Sequence, residues 1–219
     1  MKPVSHPLHN ALRAGGLLVI FAGVATAMLA TTFDITRSEI THNEQQAQRA
    51  LIAQVMPATL HDNDLLDAVS VLAPNDLLGT RNASRAWVGR RQGQATGVVL
   101  EAIAPDGYSG DIALLIGISA DGRITGVRVT SHKETPGLGD YIEIAKSRWI
   151  TQFDGKSMTD PADAGWKVQR DGGQFDARAG ATITPRAIVK AVNGALHYFV
   201  RHRGRLLAPP KPVPVAEPR

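Results

Sequence analysis

The chain has 219 residues, of which 43% are hydrophobic and 20% are charged, which excludes wholesale disorder and allows a buried core. It contains no cysteine, which excludes disulfides, thiolate metal sites, iron–sulfur ligation and cysteine nucleophiles. The net charge of +4 is modest and lies largely at the two ends, so the composition does not indicate nucleic-acid binding.

The first predicted element is a membrane-spanning helix. The twenty residues between Arg13 and Asp34 carry no charge, and a helix of that length is roughly 30 Å long, close to the thickness of a bilayer core. The competing interpretation is a cleaved signal peptide, because residues 25–27 (Ala-Thr-Ala) resemble a cleavage site. A signal peptide, however, usually has an apolar run of only about 7–15 residues. We therefore expect a retained span at residues 14–33.

The charges that flank this span predict its orientation. Lys2 and Arg13 precede it, whereas Asp34 is the first charged residue after it. The positive-inside rule then places residues 1–13 in the cytoplasm and the large remainder outside it. In a bacterium the remainder would be periplasmic and the span would lie in the inner membrane. The absence of cysteine suits that oxidising compartment.

Residues 34–85 are predicted to form a stalk helix, which continues the membrane helix outward, and a connecting region. Residues 41–44 (Thr-His-Asn-Glu) have the pattern of a capping box at a helix start, and apolar residues then recur at helical spacing. The helix should stop at Met56, because Pro57 follows it. Residues 57–85 are expected to be loops with one short helix.

Residues 86–205 have the pattern of a separate domain with a mostly antiparallel sheet. The predicted strands, rich in β-branched and aliphatic residues, are 96–103, 111–118 and 124–130. Asp121 and Gly122 predict a hairpin turn between the last two strands. A turn cluster that contains Tyr108 separates the first two.

Helices are predicted to flank this sheet, which makes the fold class α+β. The first helix is expected over residues 140–149. The second is capped by Thr184, has Pro185 in its first position, and should end near Arg203. Residues 206–219 are rich in proline and are expected to be a disordered tail.

Two glycine-rich loops are the candidate functional sites. One is residues 132–139 (His-Lys-Glu-Thr-Pro-Gly-Leu-Gly), which follows a strand; the other is residues 176–184, which precedes the last helix. A helix N-terminus offers unpaired N–H groups and a partial positive charge, so the second loop suits a phosphate. From the pattern alone, an ordinary turn and an ordinary helix cap are the favoured explanations of the two loops.

Other chemistries have little support in the sequence. The histidines show no metal-ligand spacing such as His-Glu-x-x-His, and neither a Gly-x-Ser-x-Gly elbow nor a phosphate-binding Gly-Lys-Ser/Thr loop is present. We therefore predict no metal ligands and no catalytic residues.

The second loop resembles a flavin-attachment motif. Residues 176–182, Asp-x-x-Ala-Gly-Ala-Thr, are similar to the Asp-x-x-Ser/Thr-Gly-Ala-Thr signature of the periplasmic FMN-binding domain family, with Ala179 where Ser or Thr is usual. The resemblance implies FMN held covalently through a phosphoester on Thr182 and attached by a separate flavin transferase. The first loop, at residues 134–139 (Glu-Thr-Pro-Gly-Leu-Gly), resembles the second hallmark of the same family.

Both motifs, together with the N-terminal span, are similar to the G subunits of Rnf-type ion-translocating electron transport complexes. This resemblance implies an electron-carrying flavoprotein subunit of a ferredoxin:NAD oxidoreductase, which relays electrons on the periplasmic side and performs no substrate chemistry of its own. Its partners would be the other membrane and peripheral subunits. The alternatives are the C subunit of a Na⁺-translocating NADH:quinone reductase, another membrane-anchored FMN-binding protein, or a non-redox periplasmic assembly module.

The same resemblance implies which residues surround the FMN. Its phosphate would lie at the start of the last helix, near Thr184. Tyr108 and Leu138 are expected to form walls of the isoalloxazine slot, and Lys133 to stabilise a reduced, anionic flavin. The expected cofactor-binding residues are Thr182, Gly180, Ala181, Thr184, Tyr108, Lys133, Glu134, Thr135, Gly137 and Leu138.

Overall fold

The computed structural model describes residues 7–178 and 180–209. Most of the predicted proline-rich tail, residues 210–219, therefore lies outside the described residues, as do residues 1–6. The chain divides into two compact units, one up to Gln48 and one from Arg49 onward.

The first unit is a single long helix. Helix α1 runs without a break from Pro7 to Ala53, so its last residues belong to the second unit. It is long and apolar enough to cross a membrane. Large apolar side chains project outward from it; Phe21, for example, is 74% exposed. An exposed apolar surface of this extent suits lipid better than water, and the predicted N-terminal apolar helix is confirmed.

The predicted helix start at Thr41 is wrong. Thr41 lies inside α1, and its hydroxyl donates a hydrogen bond of 2.9 Å to the carbonyl of Arg37, four residues earlier. This back-bonding is typical of threonine within a helix and leaves no chain break to cap. The helix then ends at Ala53 rather than at Met56.

The second unit is built on a five-stranded antiparallel sheet in which each strand pairs with the next one along the chain. The strands are β1 (Val69–Leu72), β2 (Ser84–Arg91), β3 (Gln94–Gly107), β4 (Gly110–Ser119) and β5 (Ile124–Ser131). The three predicted strands are confirmed and correspond to β3, β4 and β5. Strands β1 and β2 were not predicted, because β1 is short and mostly exposed and β2 carries three arginines.

Helix α2 (Ile183–Leu206) packs across one face of the sheet, mainly against β3. Its apolar stripe and the facing strand residues form the main core, which includes Val98, Leu100, Ala102, Ile116, Ile188, Val192, Leu196 and Phe199. The predicted last helix and the α+β fold class are therefore confirmed.

The predicted helix over residues 140–149 is wrong. The segment forms two short 3₁₀ turns instead, Asp140–Ile142 and Arg148–Phe153. The hydroxyl of Ser147 accepts a hydrogen bond of 3.1 Å from the N–H of Trp149. In a continuous helix the N–H of Trp149 would bond to a backbone carbonyl in the preceding turn. The side-chain bond to Ser147 replaces that bond and starts a new turn at Arg148.

The opposite face of the sheet is crossed at close range by the chain that follows α1. Gly117 and Gly126 pair across β4 and β5, and a Cβ atom built at Gly126 would lie only 3.0 Å from the carbonyl oxygen of Gln54. The hydroxyl of Thr125 donates a hydrogen bond to the carbonyl of Val55. A second, smaller core forms around this crossing and contains Ile52, Val55, Met56, Leu65, Trp87, Val99 and Leu115.

The crossing predicts that even a small side chain at Gly117 would destabilise the fold. A Cβ atom there would overlap the carbonyl group of Val55, so Gly117→Ala must displace backbone and should lower the free energy of unfolding by about 1–3 kcal/mol. Thermal unfolding of the full chain in detergent measures the loss. The matched control is Gly204→Ala in α2, where an added Cβ meets nothing within 4 Å and alanine favours the helix by about 1 kcal/mol. Equal melting of Gly117→Ala and the parent would contradict the close crossing.

Candidate functional site

A pocket of about 130 Å³ lies between the β3–β4 turn, the 134–139 loop and the start of α2. Its lining residues are Tyr108, Glu134, Thr135, Leu138, Gly139, Gly180, Ala181, Thr182, Ile183 and Thr184. Both glycine-rich loops singled out in the sequence therefore meet at one place. Eight of the ten expected cofactor-binding residues line the pocket, whereas Lys133 and Gly137 do not; Gly139 and Ile183 line it and were not predicted.

The carboxylate of Glu134 joins the three segments around the pocket. Glu134 is only 4% exposed, and its Oε1 accepts a hydrogen bond of 2.9 Å from the N–H of Ser109 in the β3–β4 turn. Its Oε2 accepts a hydrogen bond from the hydroxyl of Thr184 in α2. A buried carboxylate without such partners would be strongly destabilising, so these bonds hold turn, loop and helix together.

Two glycines allow this carboxylate to fit. A Cβ atom at Gly139 would lie 3.0 Å from both Cβ and Oε2 of Glu134, and one at Gly107 would lie 3.0 Å from Oε1. These distances are shorter than ordinary van der Waals contact. A larger residue at Gly139 would therefore press on Glu134, whereas one at Gly107 would first overlap the carbonyl oxygen of Gly110.

The two threonines at the start of α2 have different roles, and the prediction that Thr184 caps the helix is wrong. Thr182 occupies the cap position and Thr184 lies within the first turn. The hydroxyl of Thr184 is directed to Glu134, which gives it a buried partner in place of a backbone N–H. The side chain of Thr182 makes no capping hydrogen bond. It is half-buried and lines the pocket.

The segment immediately before Thr182 is a tight turn. The N–H of Ala181 donates a hydrogen bond of 3.1 Å to the carbonyl of Arg178. Gly180 has a φ of +84°, in the left-handed region that favours glycine. A Cβ atom at Gly180 would meet nothing within 4 Å, so the backbone conformation, and not lack of space, demands glycine here.

Side chains from the Arg148–Phe153 turn hold the start of this loop. The indole Nε1–H of Trp149 donates a hydrogen bond of 2.7 Å to the carbonyl of Asp176. The N–H of Asp176 donates one of 2.8 Å to Oε1 of Gln152. The sequence assigned no functional role to Trp149 or Gln152, and no motif identifies them.

The phenol of Tyr141 holds the end of the same loop. Its hydroxyl oxygen accepts a hydrogen bond of 3.3 Å from the N–H of Arg178, and the hydroxyl donates one of 3.3 Å to the carbonyl of Ala181. Burial raises the pKa of Tyr141, which keeps the phenol protonated and able to donate. Tyr141 was also missed by the sequence analysis, because its role depends on contacts about forty residues away in the chain.

A cluster of charges supports the 134–139 loop from behind. The N–H of Gly137 donates to Oδ1 of Asp140 at 2.9 Å, and Nζ of Lys146 lies 2.9 Å from Oδ2 of Asp140 and 2.6 Å from Oε1 of Glu143. Nε2 of His132 lies 2.8 Å from the same Glu143 oxygen. The hydrogen bond from Lys146 is the main cause that lowers the pKa of Asp140 and of Glu143, and the same contacts raise the pKa of Lys146.

The pocket has the chemistry of a site for a flat, largely apolar ring that carries a phosphate. Tyr108, Leu138 and Ile183 lie around it with 67%, 46% and 47% of their surface exposed, a grouping that indicates a binding site. The first turn of α2 supplies N–H groups without partners inside the helix and a partial positive charge. The hydroxyl of Thr182 lies where these two features meet.

Two family models match the chain: an FMN-binding domain over residues 107–197 and the RnfG N-terminal region over residues 1–55. The chain is 52% identical over 203 residues to the G subunit of an ion-translocating oxidoreductase complex from Pseudomonas aeruginosa, with 92% of each chain covered. It is 45% identical to the protein of that name from Aliivibrio fischeri, over 89% of this chain and 92% of the relative.

The chain also has a likeness among solved structures. The C subunit of a Na(+)-translocating NADH-quinone reductase from Parabacteroides distasonis superimposes with a TM-score of 0.51 at 19% identity, covering 80% of this chain and 98% of that one. At this identity the likeness concerns the fold alone.

The charge cluster behind the loop predicts a loss of stability in acid. Because the pKa values of Asp140 and Glu143 are lowered in the folded chain, the unfolded chain takes up protons first as the pH falls. The stability that Lys146 confers should be complete above the ordinary carboxyl values of 3.8 and 4.5 and disappear below them. The raised pKa of Lys146 itself removes the contribution only above 10.5.

Denaturant titrations of Lys146→Met and the parent, from about pH 3 to pH 8, measure this difference. Lys190→Met is the control, because the ion pair of Lys190 with Asp106 is largely exposed and should contribute little at any pH. A difference between parent and Lys146→Met that stays constant through the acid range would contradict the cluster's role.

Proposed function

The chain belongs to the family of G subunits of ion-translocating oxidoreductase complexes, and we propose that it is the FMN-carrying, electron-transferring subunit of such a complex. The support is the coincidence of two findings: residues 107–197 match an FMN-binding domain, and every residue that lines the pocket falls within that range. The pocket also combines exposed apolar side chains with a helix start suited to phosphate.

Thr182 carries the cofactor as a phosphoester. In forming it, the hydroxyl of Thr182 loses its proton and its oxygen attacks the FMN-side phosphorus of a flavin dinucleotide, the donor held by the flavin transferase. The phosphoanhydride bond of the donor breaks and the nucleoside monophosphate leaves, so that the flavin mononucleotide remains on Thr182. The observation that carries this assignment is the difference between the two neighbouring threonines. The Thr182 side chain lines the pocket without capping the helix, whereas Thr184 is 2% exposed and bonded to Glu134.

The chain's own residues bind and orient the cofactor. FMN supplies the one- and two-electron chemistry that side chains lack. The first turn of α2 binds its phosphate, and Tyr108, Leu138 and Ile183 cover part of its ring. Lys133, an exposed cation next to Glu134 but outside the pocket lining, contributes positive charge nearby.

The proposed function also implies how the chain is arranged across the membrane. Residues 1–13 are cytoplasmic and 14–33 form a retained membrane span. Residues 34–85 are a stalk and a connecting region that contributes β1 to the sheet, and 86–205 form the remainder of the periplasmic FMN-binding domain. The long apolar α1 and the charges that flank its apolar run support this topology. Other subunits of the complex and the flavin transferase are the expected partners.

The likeness of fold to the C subunit of a reductase keeps that protein as the second candidate. The higher identity to G subunits, 52% against 19%, favours the first. A non-redox assembly module would use the same fold without covalent flavin, and the following substitution separates it from both.

Thr182→Val should abolish covalent flavin and leave the fold intact, because valine matches threonine in shape and the lost hydroxyl caps nothing. The measurement is the intact mass of protein made in a host with the flavin transferase, together with in-gel flavin fluorescence after denaturation. Fragment ions of the tryptic peptide 179–186, which contains both threonines, should assign the adduct in the parent to Thr182.

Thr184→Val is the matched control for this substitution. It removes a hydroxyl two residues away, and we expect the protein to keep its covalent flavin even if Glu134 loses a hydrogen bond. Covalent flavin on Thr182→Val, or an adduct mapped to Thr184, would overturn the assignment.

The topology predicts opposite behaviour of two reporters. A phosphatase that is active only in the periplasm should be active when fused after Arg219, and a fluorescent protein that matures only in the cytoplasm should fluoresce when fused before Met1. The swapped pair of fusions is the control and should be silent. Cytoplasmic fluorescence from a C-terminal fusion would contradict the topology, and a mature protein that begins near Met28 would contradict the retained span.

A further inference from the structure

We propose that Tyr141 is a positioning residue for flavin attachment. Its phenol makes hydrogen bonds to the turn before Thr182 and holds that turn in the conformation that accepts the flavin phosphate. The inference rests on the proposed function, because it takes Thr182 as the acceptor. It adds a residue that lies outside both glycine-rich motifs and outside the pocket lining.

The phenol contacts both ends of one turn. Its oxygen accepts from the N–H of Arg178, the first residue of the turn, and its hydroxyl donates to the carbonyl of Ala181, the last. The turn's own hydrogen bond, from Ala181 N–H to the carbonyl of Arg178, spans the same two residues. The carbonyl of Ala181 is part of the peptide group that leads into Thr182. A hydrogen bond that fixes this carbonyl therefore also fixes the position of the Thr182 backbone N–H and Cα.

The turn needs support from outside itself. Arg178 and Gly180 are exposed, and glycine has more backbone freedom to lose than any other residue. The other anchors of the loop, from Trp149 and Gln152, are at Asp176, before the turn begins. A single hydrogen bond within a short exposed turn contributes little net stability, so the phenol's two bonds are a large part of what selects one conformation.

Tyr141 is itself held rigidly, as a positioning group must be. Only 3% of its surface is exposed. The ring of Trp149 meets it edge-on with centroids 5.6 Å apart, and the guanidinium of Arg178 lies 4.8 Å from its ring centre. Its neighbour Asp140 accepts from the N–H of Gly137. The same 3₁₀ turn thus connects the 134–139 loop to residues 176–184, the acceptor loop that contains Thr182.

A pre-ordered acceptor has a direct consequence for its modification. A transferase that binds an already ordered turn does not have to restrict it during the reaction, so the acceptor oxygen is presented at higher effective concentration. Removing only the phenol oxygen should leave the aromatic packing in place and loosen the turn. The expected effect is on the rate of attachment and not on the identity of the attachment site.

The test compares Tyr141→Phe with the parent as full chains in detergent, incubated with purified flavin transferase and its flavin donor. Covalent loading over time is followed by intact mass. We expect the apparent kcat/KM of Tyr141→Phe as a transferase substrate to fall about tenfold, equivalent to about 1.4 kcal/mol, with the adduct still on Thr182. Hydrogen exchange of the unloaded protein should become faster in residues 176–186 and remain unchanged in the strands.

Tyr198→Phe is the matched control. Tyr198 is 2% exposed, and its oxygen accepts a hydrogen bond of 3.2 Å from Arg205, its neighbour on α2. The substitution removes a buried phenol oxygen without touching the acceptor loop. It should take up covalent flavin at the parental rate. Its melting temperature shows how much stability is lost when a buried phenol loses one hydrogen bond away from the acceptor loop.

The outcomes separate this proposal from the one on which it rests. Parental loading of Tyr141→Phe, alongside loss of flavin in Thr182→Val, would overturn the positioning role and leave the acceptor assignment intact. Slow loading with exchange that rises throughout the sheet, or with a far lower melting temperature than Tyr198→Phe, would show a merely structural role and also overturn it. A parent that takes no flavin on Thr182 would refute the proposed function itself.

Discussion

The buried carboxylate of Glu134 is the interaction on which the site depends. It joins Ser109, 25 residues earlier in the chain, to Thr184, 50 residues later. Among the described residues no backbone hydrogen bond connects these three segments, so this pair of side-chain bonds links hairpin turn, loop and helix directly. In a low-dielectric setting such bonds are strong, and leaving the carboxylate unpaired there would be strongly destabilising. The pocket exists because these links are maintained.

The acceptor loop is ordered by a different device, a set of aromatic side chains that extends from the core. Phe175 and Phe153 pack with ring centres 4.9 Å apart in the interior. Phe153 meets Trp149 edge-on at 5.6 Å, and Trp149 meets Tyr141 in the same way. Trp149 and Tyr141 then bond to the loop backbone. An irregular segment of small residues is thereby given the rigidity of the core without a helix or strand of its own.

Elements defined by interactions between residues close in the sequence could be predicted, whereas features that depend on contacts between distant segments could not. Strands β3 to β5 and helix α2 were predictable because periodicity and turn residues such as Gly122 are local signals. The 3₁₀ turns at 140–153, the role of Tyr141 and the partner of Thr184 depend on contacts between distant segments, which no local pattern encodes. The flavin assignment came from the resemblance of the motifs, because the residues taken alone favour a plain turn and a plain helix cap.

The close passage of residues 54–56 over Gly117 has a consequence for where this protein can be cut. Most anchored domains are joined to their helix by a linker that can be shortened, lengthened or cleaved without harm. Here the last turn of α1 and the residues after it cover Trp87, Val99 and Leu115. A soluble version that begins after Met56 would expose that apolar surface to water and invite aggregation, whereas one that begins ahead of Arg49 retains it. The boundary between anchor and domain therefore lies within the helix, ahead of the point where the helix ends.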